Sequence, residues 1–209
     1  MEYKKYFRKT SFKQKEVGSF FLKQIEKTSP KIFLEVGVFH GVTARNVCEL
    51  LNKIHGDDFK YVGIDLFEES LENKNEIIPN TKFLNPIKNF YFNFIKRQNP
   101  YSLEAVKDLL NKFKKNISLL KGNSNAILKK INMSKIDFVF LDGGHDYHTV
   151  KSDLNLCREV IINGGTVLCD DYDLTYAPGL KKAIDEFSSD DGIKCSVIYN
   201  DRFAKLEKN

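Results

Sequence analysis

The sequence predicts a single α/β domain built around a parallel sheet. In residues 31–41, a short apolar run that ends at Glu35 is followed by two glycines, and apolar residues then recur at helical spacing from Val42. Buried parallel strands lose the alternation of half-exposed ones, so this stretch indicates a strand, a turn and a helix. Similar apolar runs end in acids within residues 61–66 and 138–142, and a length of 209 residues suits one domain of this class.

The turn in this first unit carries Gly37 and Gly41 between the strand and the helix. Glycine lets a ligand approach the backbone, and the free amides at the start of the helix favour an anionic or polar group. A tight turn that binds no ligand is the alternative. The third glycine of the dinucleotide fingerprint is missing, which weakens a nicotinamide-binding interpretation.

The composition is ordinary for a soluble protein, with 42% hydrophobic and 29% charged residues. Much of the net charge of +5 lies in the first fifteen residues and in residues 82–115. Because no dense basic block is interleaved with aromatics, we expect solvated helix faces rather than a nucleic-acid site. Four scattered cysteines argue against a zinc or disulfide framework. No membrane-length apolar run or signal peptide is found, so we expect a cytoplasmic protein.

The chain before the first strand is expected to form an arm and one helix. Residues 1–10 are polar and aromatic, and we expect them to be flexible and free to fold over a site. A helix with one apolar face follows from Ser11 and ends before Pro30. We therefore assign residues 1–29 to the arm and helix, and residues 30–209 to the main domain.

A second apolar strand, within residues 61–66, carries Asp65 near its C-terminal end. Ligands of open α/β sheets bind beyond the carboxyl ends of the strands, and an acid one strand-helix unit after the glycine turn can accept hydrogen bonds from both ribose hydroxyls. Asp65 lies 28 residues after Gly37, somewhat further than the usual ~20. We predict a ribose contact, with a surface acid at a strand end as the alternative.

Residues 67–100 follow no strand-helix rhythm and contain prolines and an aromatic cluster. An insertion of this length after a strand is expected to cover the ligand face of the sheet, where long loops often act as lids. We predict that it shapes the acceptor pocket. For any single aromatic residue, simple packing of the insertion onto the domain is an equally good interpretation.

Regular structure resumes at Ser102, which is a good N-cap for a helix, and a third strand follows at residues 117–120. Asn123 and Ser124 come directly after that strand, where the two earlier loops already suggest a nucleotide. They are candidates for contacts with an adenine edge. Equally, they cap the short helix that follows.

Two later strands end in acids. A strand at Phe138–Leu141 leads to Asp142, and a strand at Thr166–Cys169 leads to Asp170 and Asp171. If these strands are adjacent and parallel, three carboxylates meet at one rim of the sheet, where like charges need a cation or shared protons. An all-oxygen cluster selects a hard ion, so we predict Mg²⁺, with Ca²⁺ or Mn²⁺ as alternatives. Loop acids that face water are the competing interpretation.

A Gly-Gly turn after Asp142 places His145 beside these acids and just before a helix with a strong apolar face. Histidine has an ordinary pKa near ~6.5, which suits removal of a proton from a hydroxyl or ligation of a metal. A purely structural histidine at a helix start is the competing interpretation.

Several segments of the chain resemble those of class I S-adenosylmethionine-dependent methyltransferases in their order and spacing. The matching segments are EVGVFHG, GID, KGNS, FLDGGHDYHTVKSDL, GGTVLCDDY and GLKKAIDEF. They extend over roughly residues 30–207 and are most similar to the metal-dependent macrolide sugar O-methyltransferases. The DGGHxY segment together with the later DDY is the most specific part of the resemblance.

The resemblance implies a Rossmann-like, mostly parallel seven-stranded sheet with helices on both faces and an antiparallel C-terminal strand. The last two strands are expected to form a hairpin at residues 195–199 and 203–206. The cofactor-binding residues that it implies are Glu35, Gly37, Gly41, Asp65, Asn123 and Ser124. The implied metal ligands are Asp142, Asp170 and Asp171, and the implied base is Asp142 or His145.

These expectations together describe an S-adenosylmethionine-dependent O-methyltransferase that uses Mg²⁺ and acts on a hydroxyl of a sugar or a similar polar small molecule. The alternatives are an RNA methyltransferase, suggested by the charge of +5, and a cofactor-binding protein without catalysis, against which the complete acidic set argues. A nicotinamide oxidoreductase ranks behind both. The expected partner is the hydroxylated substrate, with a homodimer left open and neither nucleic acid nor a membrane expected.

Overall fold

The computed structural model describes residues 1–67, 83–190 and 192–208. Within this part of the chain, seven strands form one sheet. The strands are β1 (Ile32–Val36), β2 (Lys60–Asp65), β3 (Ile117–Lys121), β4 (Phe138–Leu141), β5 (Thr166–Cys169), β6 (Ile193–Ile198) and β7 (Phe203–Lys208). Among the described residues, no helix combines the length and the apolar character that crossing a membrane requires.

The strand order across the sheet is β3-β2-β1-β4-β5-β7-β6. Strands β1 to β5 pair in parallel, whereas β7 lies antiparallel between β5 and β6. The prediction of a mostly parallel Rossmann-like sheet with an antiparallel C-terminal pair is therefore confirmed. β4 and β5 also have the bounds that the sequence predicts.

Helices cover both faces of the sheet. Alternate residues of the central strands point to opposite sides, and since both sets are mostly apolar, both faces have to be buried. The α-helices are α1 (Lys15–Thr28), α2 (Val42–His55), α3 (Pro86–Phe90), α4 (Leu103–Leu109), α5 (Ser124–Leu128), α6 (Tyr147–Leu156), α7 (Arg158–Ile162) and α8 (Pro178–Ser188). Phe33 of β1 belongs to the core shared with α1, α2 and α4, and the next residue, Leu34, belongs to the core shared with α5 to α8.

The N-terminal arm is packed into the domain, so the expectation of a free arm is wrong. Tyr3 is fully buried, and its hydroxyl lies 2.6 Å from Oγ1 of Thr10 and 2.9 Å from Oγ1 of Thr43 at the start of α2. The helix that the sequence begins at Ser11 begins instead at Lys15. The segment between the arm and α1 is therefore irregular chain that lies against the domain.

The predicted insertion is described only in part, since residues 68–82 lie outside the described chain. In the part that follows, α3 continues directly into a π-helix at Tyr91–Lys96. Phe83 and Phe92 are buried and their rings stack at 5.2 Å, while the Phe83 ring meets the His40 ring edge-on at 5.5 Å. These two aromatics thus pack the insertion against the glycine turn, and a role in an acceptor pocket stays a prediction.

The carboxyl ends of four adjacent strands lie level at one rim of the sheet. Val36 of β1 pairs with Ile64 of β2 and with Leu141 of β4, which in turn pairs with Cys169 of β5. The residues that end or follow these strands are, across the rim, Asp65, Gly37, Asp142 and Asp170. The topology therefore aligns the glycine turn and the candidate acids along a single edge.

The packing of the arm predicts a large cost for truncating Tyr3. We expect Tyr3→Ala to lower the free energy of unfolding by about 3–5 kcal/mol, since a fully buried aromatic ring is lost. Phe7→Ala is the matched control, because Phe7 is an arm aromatic that is 46% exposed, and it should cost clearly less. Urea unfolding of both variants gives the comparison; equal small losses would show that the arm is not part of the folded core.

Candidate active site

Both glycines of the turn between β1 and α2 are in close contact with other parts of the chain. Gly37 has a φ of +94° and Gly41 a φ of +73°. A Cβ on Gly37 would lie 2.2 Å from the carbonyl oxygen of Asp142, and one on Gly41 would lie 2.8 Å from Cγ1 of Val106. Glycine is therefore required here by close protein contacts as well as by backbone conformation. That these glycines line the methionine end of a cofactor stays a prediction.

A small cleft opens beside this turn. Its walls are residues 9–11 before α1, the turn at residues 37–40, the first residues of α2 and Asp142. Tyr3 ties the arm wall to the α2 wall through its hydrogen bonds with Thr10 and Thr43. The arm, which the sequence sets apart from the main domain, thus forms one side of the candidate site.

Asp65 lies at the rim next to the glycine turn and is already engaged by three donors. Its Oδ2 accepts the amide of Phe39 at 2.7 Å, and its Oδ1 accepts the amide of Phe67 at 2.9 Å and the hydroxyl of Tyr101 at 2.8 Å. Burial raises the pKa of Asp65, although these donors favour the ionised form. A carboxylate offers about four lone-pair sites, and three are already used, so the two hydroxyls of a ribose diol would have to displace one donor. The Tyr101 hydroxyl is the one to be displaced, because the other two donors are backbone amides.

Glu35 is buried behind the turn, with only 1% of its surface exposed. The Tyr61 hydroxyl donates a hydrogen bond to its Oε2, whereas Oε1 has no hydrogen-bond partner within the described chain. Burial raises the pKa of Glu35 to about 8. A buried carboxyl oxygen without a partner is costly, and a contact of Glu35 with a cofactor stays a prediction.

Asn123 and Ser124 lie just beyond the end of β3, near Asp65, whose carbonyl accepts the amide of Gly122 at 2.9 Å. Asn123 is the N-cap residue of α5, but its side chain makes no capping hydrogen bond. The Ser124 hydroxyl donates to the buried Asp153 of α6 at 2.9 Å. Ser124 is thus occupied by a structural contact in this structure, and the adenine contact of either residue stays a prediction.

The three predicted metal ligands do come together. One oxygen of each of Asp142, Asp170 and Asp171 lies within 4.8 Å of the others, and we call this set the acidic centre. Burial and the two neighbouring carboxylates raise the pKa of Asp142 well above its ordinary value. Burial also raises the pKa of Asp170 to about 6, against the opposing effect of Arg202. The repulsion that the sequence predicts is therefore present in the structure.

Arg202, in the turn between β6 and β7, is a site residue that sequence reasoning missed. Its Nε donates to Oδ1 of Asp170 at 2.7 Å and its Nη2 donates to Oδ2 of the same residue at 2.8 Å, while Nη2 lies 3.5 Å from Oδ1 of Asp171. Such two-point contacts between guanidinium and carboxylate are among the strong hydrogen bonds of proteins. The sequence signal is only that Arg202 is a cation between the two strands of the predicted C-terminal hairpin.

Two further side chains complete the centre. Nε2 of His145 lies 3.4 Å from Oδ2 of Asp171, so the histidine is beside the acids as the sequence predicts. Ser11, expected to begin a helix, instead hydrogen-bonds Asp142 and favours its ionised form, which lowers its pKa. The chain before α1 therefore reaches both the cleft, through residues 9–11, and the acidic centre, through Ser11.

The donor set and its spacing fit a hard divalent ion. All the candidate ligand atoms are carboxylate oxygens, and they are close enough to converge on one ion. Asp142 and Asp171 would hold it most directly, because both oxygens of Asp170 already accept hydrogen bonds from Arg202.

The raised pKa of Glu35 predicts a pH dependence of stability in the ligand-free protein. Its value of about 8 lies above that of an unfolded glutamate, so the folded state binds one more proton between pH ~4.3 and ~8. Stability should fall across this window by at most about 1.4 kcal/mol per pH unit. Glu35→Gln cannot ionise and should lack the part of the fall that Glu35 causes, whereas the part caused by the raised pKa values of Asp142 and Asp170 should remain.

Urea unfolding from pH 5 to 9 tests this, with Glu26→Gln on the exposed face of α1 as the control. The difference in unfolding free energy between the wild type and Glu35→Gln should change with pH. The difference between the wild type and the control Glu26→Gln should stay constant. Parallel pH profiles for the wild type and Glu35→Gln would contradict the assignment of a neutral Glu35.

Comparison with solved structures finds the same fold in several methyltransferases. PaMTH1 of Podospora anserina, solved with S-adenosylhomocysteine bound, has a TM-score of 0.61 and 18% identity over 94% of this chain and 79% of its own. The calicheamicin methyltransferase CalS11 has a TM-score of 0.67 and 16% identity, covering 93% and 80%. The O-methyltransferase TomG of Streptomyces achromogenes has a TM-score of 0.62 and 12% identity, covering 94% and 81%. At these identities the likeness shows the fold.

Comparison with known protein sequences finds a relative, the uncharacterized protein R132 of Acanthamoeba polyphaga mimivirus, which is 29% identical to this chain over 149 residues. This match covers 68% of the present chain and 64% of that relative, so the chain spans less than two thirds of its length.

The chain also matches the methyltransferase domain family over residues 34–172. This stretch runs from β1 through the glycine turn, Asp65 and the whole acidic centre, and it is more than half of the 209 residues. The chain therefore belongs to the methyltransferase domain family.

Proposed function

We propose that this protein transfers the methyl group of S-adenosylmethionine to a hydroxyl of a sugar or a similar polar small molecule, with Mg²⁺ at the acidic centre. One observation carries the proposal. The glycine turn and Asp65 lie along the same rim of the sheet as His145 and the acidic centre, and the turn touches the acidic centre directly where Gly37 meets the Asp142 carbonyl. A donor bound at the turn would thus lie next to groups that can hold and deprotonate an acceptor.

Two features of the rim support the cofactor. Oε1 of Glu35, which has no hydrogen-bond partner within the described residues, suits the methionine ammonium group. Asp65 lies at the position where ribose is recognised in sheets of this kind, and a ribose hydroxyl would replace the Tyr101 hydroxyl that its Oδ1 now accepts. S-adenosylmethionine carries a sulfonium ion that makes its methyl group electrophilic. The protein therefore needs no nucleophile of its own, and its task is to align the acceptor, exclude water and accept a proton.

His145 is the group best placed to accept that proton. Its Nε2 lies 3.4 Å from Oδ2 of Asp171, so a carboxylate would stabilise the imidazolium that forms. Asp142, partly exposed at the same rim, is the second candidate. A Mg²⁺ ion held by the acidic centre would lower the pKa of the acceptor hydroxyl and anchor its oxygen.

The acceptor class is supported by polarity and by one structural relative. The rim beyond the glycine turn presents carboxylates, an imidazole and a guanidinium, which suit a substrate with several hydroxyls. CalS11 is a TDP-rhamnose 3′-O-methyltransferase. A deoxysugar linked to a nucleotide is accordingly the first acceptor to test.

The cofactor assignment predicts that Asp65→Ala weakens binding of S-adenosylmethionine by at least about tenfold, or ~1.4 kcal/mol, because the ribose loses its acceptor. Calorimetric titration with and without Mg²⁺ measures this. Asp58→Ala is the control, since Asp58 follows α2 on the exposed surface and pairs with Lys31 there. Absence of binding to the wild type under both conditions would overturn the proposed function.

The role of His145 predicts a loss of turnover without a loss of cofactor binding. We expect His145→Gln to reduce kcat by about 10²–10⁴-fold and to leave the dissociation constant for S-adenosylmethionine within about twofold of the wild type. His148→Gln, an exposed histidine on the next helix, is the control and should keep full turnover. A methyl-transfer assay with nucleotide-linked deoxysugars gives the rates; unchanged turnover in His145→Gln would leave Asp142 as the base.

A further inference from the structure

The acidic centre contains a cation supplied by the chain itself. Asp170, whose side chain is wholly buried, directs both carboxylate oxygens to the guanidinium of Arg202 at 2.7 and 2.8 Å. The same guanidinium lies 3.5 Å from Asp171. Arg202 thus bridges two of the three carboxylates that would hold a divalent ion.

The position of Arg202 is fixed from several sides. Its guanidinium lies 5.3 Å from the centre of the Phe12 ring and 5.6 Å from that of Phe203. Its backbone carbonyl accepts the amide of Tyr172 at 2.9 Å, which ties the hairpin turn to the chain just after the acids. A side chain held by rings, by a carboxylate and through its own backbone is part of the built centre rather than a mobile surface arginine.

The formal charges show what this contact does. Three ionised carboxylates and one guanidinium leave a charge of about −2 at the rim, which one divalent cation neutralises. Without Arg202 the charge would be about −3 and both oxygens of Asp170 would be released to bind metal. A guanidinium within hydrogen-bond distance of a candidate ligand also repels an incoming cation.

We infer that Arg202 is a positioning residue that competes with the divalent cation for Asp170. In the metal-free protein it holds the acidic centre together, and in the metal-bound protein it limits the affinity of the centre for the ion. The inference rests on the metal site of the proposed function, but it is tested by ion binding and by stability, neither of which requires S-adenosylmethionine or an acceptor.

The experiment measures Mn²⁺ binding by electron paramagnetic resonance in the wild type, in Arg202→Met and in Arg202→Lys. Methionine keeps much of the length of the side chain but removes its charge, whereas lysine keeps the charge but not the two-point contact. We expect Arg202→Met to bind Mn²⁺ at least about tenfold more tightly than the wild type, and Arg202→Lys to lie between them. Arg158→Met, which removes a surface arginine paired with Asp190, should leave Mn²⁺ affinity unchanged.

Thermal unfolding in EDTA and in Mn²⁺ provides the second readout. Without metal, Arg202→Met should melt at a lower temperature than the wild type, because the buried Asp170 has lost its counter-charge. Mn²⁺ should raise its melting temperature by more than it raises that of the wild type. If Arg202→Met folds only when Mn²⁺ is present, the ion has replaced the guanidinium and the inference is supported.

Weaker or equal Mn²⁺ binding in Arg202→Met would overturn the inference, because it would mean that the arginine organises the ligands instead of competing for them. If Arg202→Met does not fold under either condition, Arg202→Lys decides by the same comparison. Failure of the proposed function is recognised separately, as absence of S-adenosylmethionine binding to the wild type, and it would leave the Mn²⁺ comparison unaffected.

Discussion

The repulsion among Asp142, Asp170 and Asp171 is the physical constraint on which the site depends. Carboxylates with oxygens within 4.8 Å of one another cannot all remain ionised unless a cation, donors or shared protons compensate them. The chain supplies compensation from distant positions, with Ser11 at Asp142, His145 at Asp171 and the Arg202 fork at Asp170. Burial of a carboxylate as deep as Asp170, which is 1% exposed, is tolerable only with such a partner.

The glycine turn and the acidic centre are coupled by direct contact rather than only by their shared place in the sheet. The Asp142 amide donates to the carbonyl of Val36 at 2.8 Å, and the Gly37 amide donates to the carbonyl of Ile64 at 2.9 Å. The parallel ladder thus extends by one residue past the strands, and the missing Cβ of Gly37 lets the two loops touch. A substitution that displaced this turn would move the region expected to hold the donor and the region expected to hold the acceptor together.

Sequence patterns predict the central sheet well because its buried strands follow from local runs of apolar residues. The bounds of β4 and β5 come from uninterrupted apolar runs, and Ser102 caps α4 as predicted, accepting the amide of Ala105 at 3.1 Å. The proximity of His145 and the acids follows from one further rule, that adjacent parallel strands present their carboxyl ends at the same rim.

The contacts that sequence reasoning missed join residues far apart in the chain. Tyr101 reaches Asp65 across 36 positions, Tyr3 reaches Thr43 across 40, and Arg202 reaches Asp170 across 32. None of these three residues lies in a periodic pattern that reports its partner, because a single polar contact leaves no repeat in the sequence. The burial of the arm was missed for a similar reason. A short segment rich in tyrosine and lysine has the composition of exposed chain, and the sequence does not show that Tyr3 is buried against the domain.

The antiparallel direction of β7 explains how a residue at position 202 can reach the acidic centre at all. A parallel strand beside β5 would begin at the opposite edge of the sheet, and the turn before it would lie far from Asp170. Because β7 is antiparallel, with Ala204 level with Cys169, it begins at the rim where β5 ends. The residues just before β7 therefore face the residues just after β5, and one long cationic side chain spans the gap. The reversed final strand thus does more than close the edge of the sheet, since it delivers a cation to the place where the parallel strands collect their acids.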